Sequence, residues 1–219
     1  MRSLRDLLGH YDLHNKIEVA PAVVAPSDCR HAALISALAA RVCDGHLSRQ
    51  AFSPFLVPPA CLPHIALVDI VAGRDGPNSY RYRLFGTEMR EVVGLELTGK
   101  TVADYPKRSC RCYLTRLFDE CRLQGRPLIS KARLLYPRGF EITTEKTFLP
   151  LFGSADAVDM ILTLFTFNFH HGGAAPGVAE EPEEVRESYR VFEDMQALAA
   201  AIPVLDPVDP QPRRATVRI

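Results

Sequence analysis

The chain has 219 residues, of which 47% are hydrophobic and 24% charged, and its 26 basic side chains balance 26 acidic ones. These proportions are typical of soluble globular proteins and exclude a wholly disordered chain. No run of about 18 apolar residues is present, which excludes a transmembrane helix. The zero net charge argues against binding to nucleic acid or to a membrane through overall charge.

The first 49 residues predict an N-terminal segment that ends in a capping helix. Leu34, Ile35 and Leu38 fall on one face of a helix over residues 28–43, with Ser27 as its N-cap. The first residues contain no apolar run of the signal-peptide type, so we expect a cytoplasmic protein whose six cysteines stay reduced. The cysteine spacing lacks a Cys-x-x-Cys pair, and we therefore expect no metal site.

Residues 50–170 carry a pattern of strands and helices that predicts one domain. The predicted strands cover residues 64–71, 80–85, 128–136, 141–151 and 160–169. The first two strands form a hairpin, and short helical pieces follow over residues 86–105. A longer helix is predicted over residues 109–124, where apolar side chains recur every three or four positions. The fold class expected from this order is α+β.

Residues 171–219 predict a linker, a C-terminal helix over residues 182–202 and a proline-rich tail from residue 203. The strand over residues 160–169 is apolar on both faces, so the sheet must be covered on both sides. The helices over residues 28–43 and 182–202 are the available covers for the side away from helix 109–124. The C-terminal helix also offers a surface for pairing two subunits.

Two short motifs carry a family resemblance. Arg83-Leu84-Phe85-Gly86-Thr87, followed by Gly94-Leu95-Glu96-Leu97-Thr98-Gly99-Lys100, resembles the R-x-x-G-T and G-x-E-L-T-G-[KR] core of a PAS-like sensory domain family common in alphaproteobacteria. The resemblance covers about residues 50–170, with Arg83, Gly86, Thr87, Gly94 and Gly99 as its motif residues. It implies a five-stranded antiparallel PAS sheet with a helical crossover, flanked here by N- and C-terminal helices. It also implies a sensory or regulatory module in signal transduction. The sequence contains no kinase or cyclase signature and no basic recognition helix, and flanks of about 50 residues are too short for a typical catalytic domain, so we expect no output domain and no enzymatic activity.

The segment 94–101 also matches the phosphate-binding pattern G-x-x-x-x-G-K-[ST], which would indicate a nucleotide hydrolase. A P-loop needs a strand before the glycine-rich turn and a helix of some length after it. Here a helical piece precedes Gly94, and Pro106 follows soon after Thr101. We therefore favour the interpretation that Gly94 and Gly99 shape the crossover.

The resemblance implies a PAS-type ligand pocket between the crossover helix and the concave sheet. The side chains expected near it are Tyr113, Leu117, Phe118, Phe148 and Phe165, although an apolar helix stripe is more often plain core. No histidine lies within residues 109–124, so haem is disfavoured, and the cofactor, if any, is unknown. A ligand-free adaptor that recognises a protein partner is the alternative, and it predicts a pocket filled by the protein's own side chains.

Residues 105–138 hold nine basic side chains against two acidic ones. Arg111, Arg122 and Arg126 lie mostly off the apolar stripe of the helix. They form either a solvated helix face or a surface for an anion or an acidic partner. The candidate partners are thus a small-molecule ligand, a protein and a second copy of the chain in a homodimer, but not nucleic acid or a membrane.

Overall fold

The computed structural model of the chain describes residues 16–21, 26–43, 45–72, 79–153, 157–170 and 176–202. The strands are β1 (Lys16–Pro21), β2 (Leu47–Ser48), β3 (Ile65–Val71), β4 (Ser79–Phe85), β5 (Leu128–Leu135), β6 (Glu141–Phe152), β7 (Val158–His170) and β8 (Glu184–Val191). The α-helices are α1 (Cys29–Ala39), α2 (Thr87–Val93), α3 (Arg108–Gln124) and α4 (Met195–Ala201). Single 3₁₀ turns occur at Pro54–Leu56, Val102–Asp104 and Pro137–Gly139, and a longer 3₁₀ segment covers Pro59–His64.

The described strands form one mixed sheet in the order β1-β8-β5-β6-β7-β3-β4, and β2 pairs with β6 beside this path. The pairs β1–β8 and β2–β6 are parallel, and the other pairs are antiparallel. The fold is α+β, as predicted. The five predicted strands and helix α3 are confirmed, each to within two residues at either end. The expected five-stranded antiparallel sheet is not, because β1, β2 and β8 also join the sheet and two of its pairs are parallel.

The predicted C-terminal helix over residues 182–202 is wrong. Residues 184–191 form strand β8, which pairs along its whole length with β5, and only α4 remains helical. Val185 and Glu187 point into the protein, while Arg186 between them is exposed, which is the alternation of a strand. Val185 and Tyr189 also stand four residues apart, so the same residues fit a helical stripe. The segment forms a strand because it pairs with an edge of β5 that would otherwise be unpaired.

The N-terminal helix is confirmed as α1, but its N-cap is Asp28 rather than Ser27. The Asp28 side chain accepts a hydrogen bond from the backbone N–H of Arg30 at 2.9 Å. Ser27 does not cap the helix, because its backbone N–H and its hydroxyl both donate to the Glu145 carboxylate. The predicted proline-rich tail lies outside the described residues.

Each face of the sheet is covered by its own hydrophobic core. We call the face that packs against α3 the inner face and the opposite one, which packs against α1 and α4, the outer face. Strand β7 serves both, since Ile161 and Phe165 belong to the inner core and Leu162 and Leu164 to the outer core. The prediction that helices from both ends of the chain cover the sheet's far side is confirmed, with a shorter C-terminal helix.

Candidate functional site

Helix α3 brings the predicted ligand-contacting residues together on the inner face. Tyr113, Leu117, Phe118, Phe148 and Phe165 are all buried, and they belong to a single hydrophobic cluster. The ring of Phe118 lies 5.3 Å from that of Phe148 in an edge-to-face contact, and Phe148 lies 6.0 Å from Phe165. These distances are those of directly packed aromatic rings. The space between helix and sheet is therefore filled at this level by the protein's own side chains.

A charged cluster lies beside these aromatic side chains, with Ser130, Lys146 and Glu187 buried and the Arg116 side chain 25% exposed. The Lys146 ammonium of β6 is 3.8 Å from Glu187 Oε1 of β8, and neither side chain is exposed. The Arg116 guanidinium of α3 approaches the other oxygen of Glu187 at 3.1 Å. The hydroxyl of Ser130 donates to Glu187 Oε1 at 2.5 Å. We call Arg116, Lys146, Glu187 and Ser130 the buried ion cluster, which ties α3 to three strands of the sheet.

The buried ion cluster carries two cationic groups against one carboxylate. Burial lowers the pKa of Lys146, while the negative charge of Glu187 raises it and opposes that effect. The ammonium also lies 4.8 Å from the centre of the Tyr113 ring, a cation–π contact. Buried lysines are rare unless they are paired. Sequence reasoning missed this cluster, and its only local signal was a lysine within an otherwise buried strand.

A small cavity opens near the N-terminus of α3. Its volume is about 40 Å³, which is room for a few water molecules at most. The lining includes Tyr105, Lys107, Tyr113, Tyr136 and Thr144. Of the five residues predicted to contact a ligand, Tyr113 is the one that lines this cavity.

Polar groups are available at the cavity wall. The buried hydroxyl of Thr144 has no hydrogen-bond partner in the described part of the chain. The Lys107 ammonium donates to the Tyr136 hydroxyl at 3.0 Å and lies 4.5 Å from the centre of that ring. Burial lowers the pKa of Lys107. The cavity thus offers a hydroxyl and an ammonium to a very small polar ligand.

The three arginines predicted as an anion or partner surface lie at separate places along α3. Arg111 donates to the backbone carbonyl of Tyr105 at 2.6 Å and so holds the loop before the helix. Arg122 donates to the Tyr80 hydroxyl at 3.2 Å and pairs with Asp119 at 3.5 Å. Arg126 is exposed just beyond the helix. Two of the three guanidiniums are thus engaged within the protein.

Three motif residues of the resemblance, Arg83, Gly86 and Thr87, lie at the junction between β4 and α2, while Gly94 and Gly99 lie at and beyond the other end of α2. Gly86 precedes α2, Thr87 is the first residue of that helix, and Gly94 ends it in a left-handed conformation with φ of 74°. A Cβ atom on Gly86 would lie 2.2 Å from the backbone oxygen of Pro63, so only glycine fits there without a backbone shift. Gly99 is also left-handed, at φ of 81°. Arg83 donates to Asp69 Oδ2 at 3.2 Å.

The P-loop-like segment has the local structure of a crossover rather than of a phosphate cradle. Helix α2 precedes it, and the single 3₁₀ turn Val102–Asp104 follows it. The Glu96 carboxylate accepts a hydrogen bond from the backbone N–H of Thr98 at 2.8 Å. This contact places a negative charge on an amide that a phosphate would need. The segment therefore lacks the directly preceding strand and the directly following helix of a P-loop, and its Thr98 amide is occupied.

A second polar cluster lies on the outer face, beneath α1. His31 is fully buried, with Nδ1 2.7 Å from the Thr147 hydroxyl and Nε2 3.0 Å from the Thr166 hydroxyl. Burial lowers the pKa of His31 to about 4, so the imidazole is neutral at pH 7. Glu145 beside it accepts from Ser27 and from Lys131, the latter at 2.8 Å. These contacts attach α1 to the sheet.

Three of the described cysteines, Cys61, Cys110 and Cys121, are buried free thiols. Burial raises the pKa of Cys61 to about 11 and also raises those of Cys110 and Cys121, so these thiols are protonated at neutral pH. Within the described ranges, no three His, Cys, Asp or Glu side chains come together in a way that could hold a metal ion.

Comparison with known proteins adds no family assignment. No protein-family model matches the chain, and no curated protein matches it significantly. None of the helices in the described residues is both long and apolar enough to cross a lipid bilayer.

Proposed function

We propose that the chain is a PAS-like regulatory module that acts by binding a protein partner rather than as an enzyme. The observation that carries this proposal is the arrangement of residues 65–170. Two strands, a helical crossover and three strands follow one another along the chain, and β3 lies between β4 and β7 in the sheet. This is the chain order that the sequence resemblance implies. The motif glycines Gly86 and Gly94 lie where the crossover starts and where its first helix ends.

The filled interior supports a protein partner over a large resident cofactor. Phe118, Phe148 and Phe165 occupy the space between α3 and the sheet, and the cavity of about 40 Å³ beside them is far smaller than the pockets that hold drug-sized ligands. A module of this kind responds through its surface or through a shift of α3. The buried ion cluster couples such a shift to β8, because Arg116 on α3 and Lys146 on β6 share the carboxylate of Glu187.

Native mass spectrometry of the freshly purified chain tests this proposal. We expect the mass of the polypeptide alone, and the same spectrum reports whether the chain is a monomer or a homodimer. An additional mass that disappears on denaturation would show a resident ligand and would overturn the closed interior. A Phe118→Ala variant is the matched positive control, because the space it opens next to Phe148 can admit a small apolar molecule such as benzene.

A small-molecule sensor is the second candidate, and the unpartnered hydroxyl of Thr144 favours it. The cavity has room for a ligand of only a few heavy atoms, and Lys107 favours a negative charge. Titration with formate or acetate, followed by NMR, tests this candidate. Under it, the signals of Thr144 and Lys107 move in the wild type, and the signal of Lys107 stays in place in a Thr144→Val variant. Signals that move equally in both proteins count against it.

A further inference from the structure

The outer face of the sheet stays open to solvent at its β3–β4 end. Leu67 of β3 still belongs to the outer core, but Arg81 and Arg83 of β4 are 51% and 54% exposed. Their neighbours Tyr80 and Tyr82 point to the inner core, so the two arginines share the outer face. The end of the outer face is thus lined by guanidinium groups.

These guanidiniums surround one buried carboxylate. The Asp69 side chain is 9% exposed and has Arg49, Arg81 and Arg83 at 3.5, 3.4 and 3.2 Å. Arg49 also pairs with Asp159 at 2.9 Å. We call these five residues the arginine cluster. Three positive charges meet two negative ones, which leaves an excess of one positive charge on an exposed surface.

Within the described residues, Arg81 and Arg83 retain unused donors. Both contact the same oxygen of Asp69, and each guanidinium has five N–H donors. Asp69 holds the two stems in place, which reduces the entropy lost when a ligand binds. The two residues alternate along one face of β4 and are therefore about 7 Å apart. Acidic side chains at alternate positions of an extended peptide have the same spacing.

The backbone edge of β4 is already occupied near these arginines. The N–H of Tyr82 donates to Lys100 at 2.8 Å, and its carbonyl accepts from Gly99 at 2.7 Å. A partner strand therefore cannot add to the sheet at this position, and a partner can be bound here only through side chains such as those of Arg81 and Arg83. The small excess charge, with Asp69 and Asp159 close by, fits one or two carboxylates better than the many phosphates of a nucleic acid.

We propose that Arg81 and Arg83 bind an extended acidic segment of a protein partner, whose carboxylates alternate along the chain. This inference rests on the proposed function, since it names the chemistry of the partner that the module recognises. Asp69 acts as the positioning residue that holds both guanidiniums toward solvent. Two charge-assisted contacts on an exposed surface give a weak, salt-sensitive interaction.

The test is an NMR titration of the full chain with an acetylated peptide in which glutamate alternates with alanine. We expect the side-chain Nε–Hε signals of Arg81 and Arg83 to move, with an affinity that falls as salt is added. The double variant Arg81→Gln, Arg83→Gln should bind at least about tenfold more weakly. The double variant Arg81→Lys, Arg83→Lys keeps the charge but not the forked donors and should be intermediate.

Two other arginines provide the matched control. Arg133 and Arg186 are 54% and 59% exposed and pair with Glu141 and Glu184. The variant Arg133→Gln, Arg186→Gln removes the same charge and should bind the peptide as the wild type does. An equal loss in this control would overturn the proposal, because it would show an effect of overall charge.

Further outcomes separate the alternatives. A peptide with glutamine in place of glutamate that binds equally well, or an oligothymidylate that binds more tightly than the glutamate peptide, would overturn the proposal. A wild type whose Arg81 and Arg83 signals do not move would do the same, while leaving the PAS-like module intact. A resident ligand found by native mass spectrometry would instead overturn the closed interior, whatever the titration shows.

Discussion

The ammonium nitrogen of Lys146 lies 3.8 Å from Oε1 of Glu187, and both side chains are completely buried. Lys146 stands on the central strand β6 and Glu187 on β8, close to one edge of the sheet. The carboxylate of Glu187 therefore compensates a charge in the middle of the molecule. The C-terminal strand is held to the sheet by this pair as well as by its backbone ladder.

The variant Glu187→Gln should be strongly destabilised. It leaves Lys146 buried without its carboxylate, and loss of one partner of a buried pair costs about 3–5 kcal/mol. The free energy of unfolding, measured by urea denaturation, should fall by that amount. Glu184→Gln is the matched control on the same strand, since it breaks the exposed pair with Arg186 and should cost about 1 kcal/mol or less.

A second variant separates the charge from the shape of the site. Adding Lys146→Met to Glu187→Gln removes the buried positive charge and should restore much of the lost stability. If the double variant is no more stable than Glu187→Gln alone, the loss comes from the hydrogen bond of Ser130 or from packing rather than from the unpaired ammonium.

The variant Phe118→Ala should lose about 3–5 kcal/mol of unfolding free energy, because a buried aromatic ring is removed and a cavity remains. The Phe118 ring stacks on Tyr80 with ring centres 5.0 Å apart and meets Phe148 edge to face. Leu123 on the same helix is 65% exposed, so Leu123→Ala should change stability by about 0.5 kcal/mol or less. Similar losses in the two variants would contradict a closely packed interior.

Much of the inner face could be predicted from local sequence patterns. The helical stripe that includes Tyr113 and Leu117 predicted α3. The apolar residues on both faces of the strand over residues 160–169 indicated that the sheet is covered on both sides. These patterns repeat over many residues within one element, so each element carries its own signal. The aromatic cluster around Phe118 followed from placing the helix against the sheet.

The parts that could not be predicted depend on contacts between distant segments. The pattern of Val185 and Tyr189 fits a helix as well as a strand, and the free edge of β5 decides between them. The same holds for Lys146, whose partner lies on a strand that the sequence indicates as a helix. The arginine cluster brings Arg49 and two arginines of β4 to Asp69. These residues have no regular spacing along the chain that would have predicted the contact.

The variant Gly86→Ala should be destabilised by about 2 kcal/mol or more, because its new methyl group would overlap the backbone oxygen of Pro63. The distances from an ideal Cβ to the oxygens of Pro63 and Ile65 are 2.2 and 2.8 Å. Thermal unfolding followed by circular dichroism measures the effect. In Gly177→Ala the nearest atom lies at 3.8 Å, and this control should unfold close to the wild-type temperature. If Gly177→Ala lowered the unfolding temperature as much as Gly86→Ala does, overlap with the backbone of Pro63 would not explain the effect at Gly86.

The segment from Gly94 to Thr101 should not bind nucleotide as a P-loop does. Isothermal titration of the chain with magnesium ATP should give no specific heat of binding, because Glu96 occupies the Thr98 amide and the segment is followed directly by the single 3₁₀ turn Val102–Asp104 rather than by a helix. Micromolar binding that is lost in Lys100→Ala would contradict this expectation. Arg90→Ala is the control for a general loss of positive charge, since Arg90 is half-exposed on the preceding helix.

His31 makes stability depend on acid. Its imidazole is enclosed between Thr147 and Thr166, and burial lowers its pKa to about 4 from an ordinary value near 6.5. At pH values between these two pKa values, His31 binds a proton in the unfolded chain but not in the folded chain. The free energy of unfolding must therefore decrease as the pH falls through this window. His64, whose pKa burial also lowers to about 4, acts in the same direction.

The variant His31→Gln should weaken this acid sensitivity, because glutamine can bond the threonine hydroxyls but takes up no proton. Between pH 7 and pH 4 the wild type should lose about 3 kcal/mol more of its unfolding free energy than the variant does. Urea denaturation at a series of pH values measures the two slopes, and the neighbouring titratable groups His64, Asp28 and Glu145 are retained in both proteins. Thr166→Val is the control: it removes one hydrogen bond but keeps the imidazole, so it should lower stability at every pH and retain the wild-type slope. Equal slopes for the wild type and His31→Gln would mean that His31 is protonated in the folded protein as readily as in the unfolded chain.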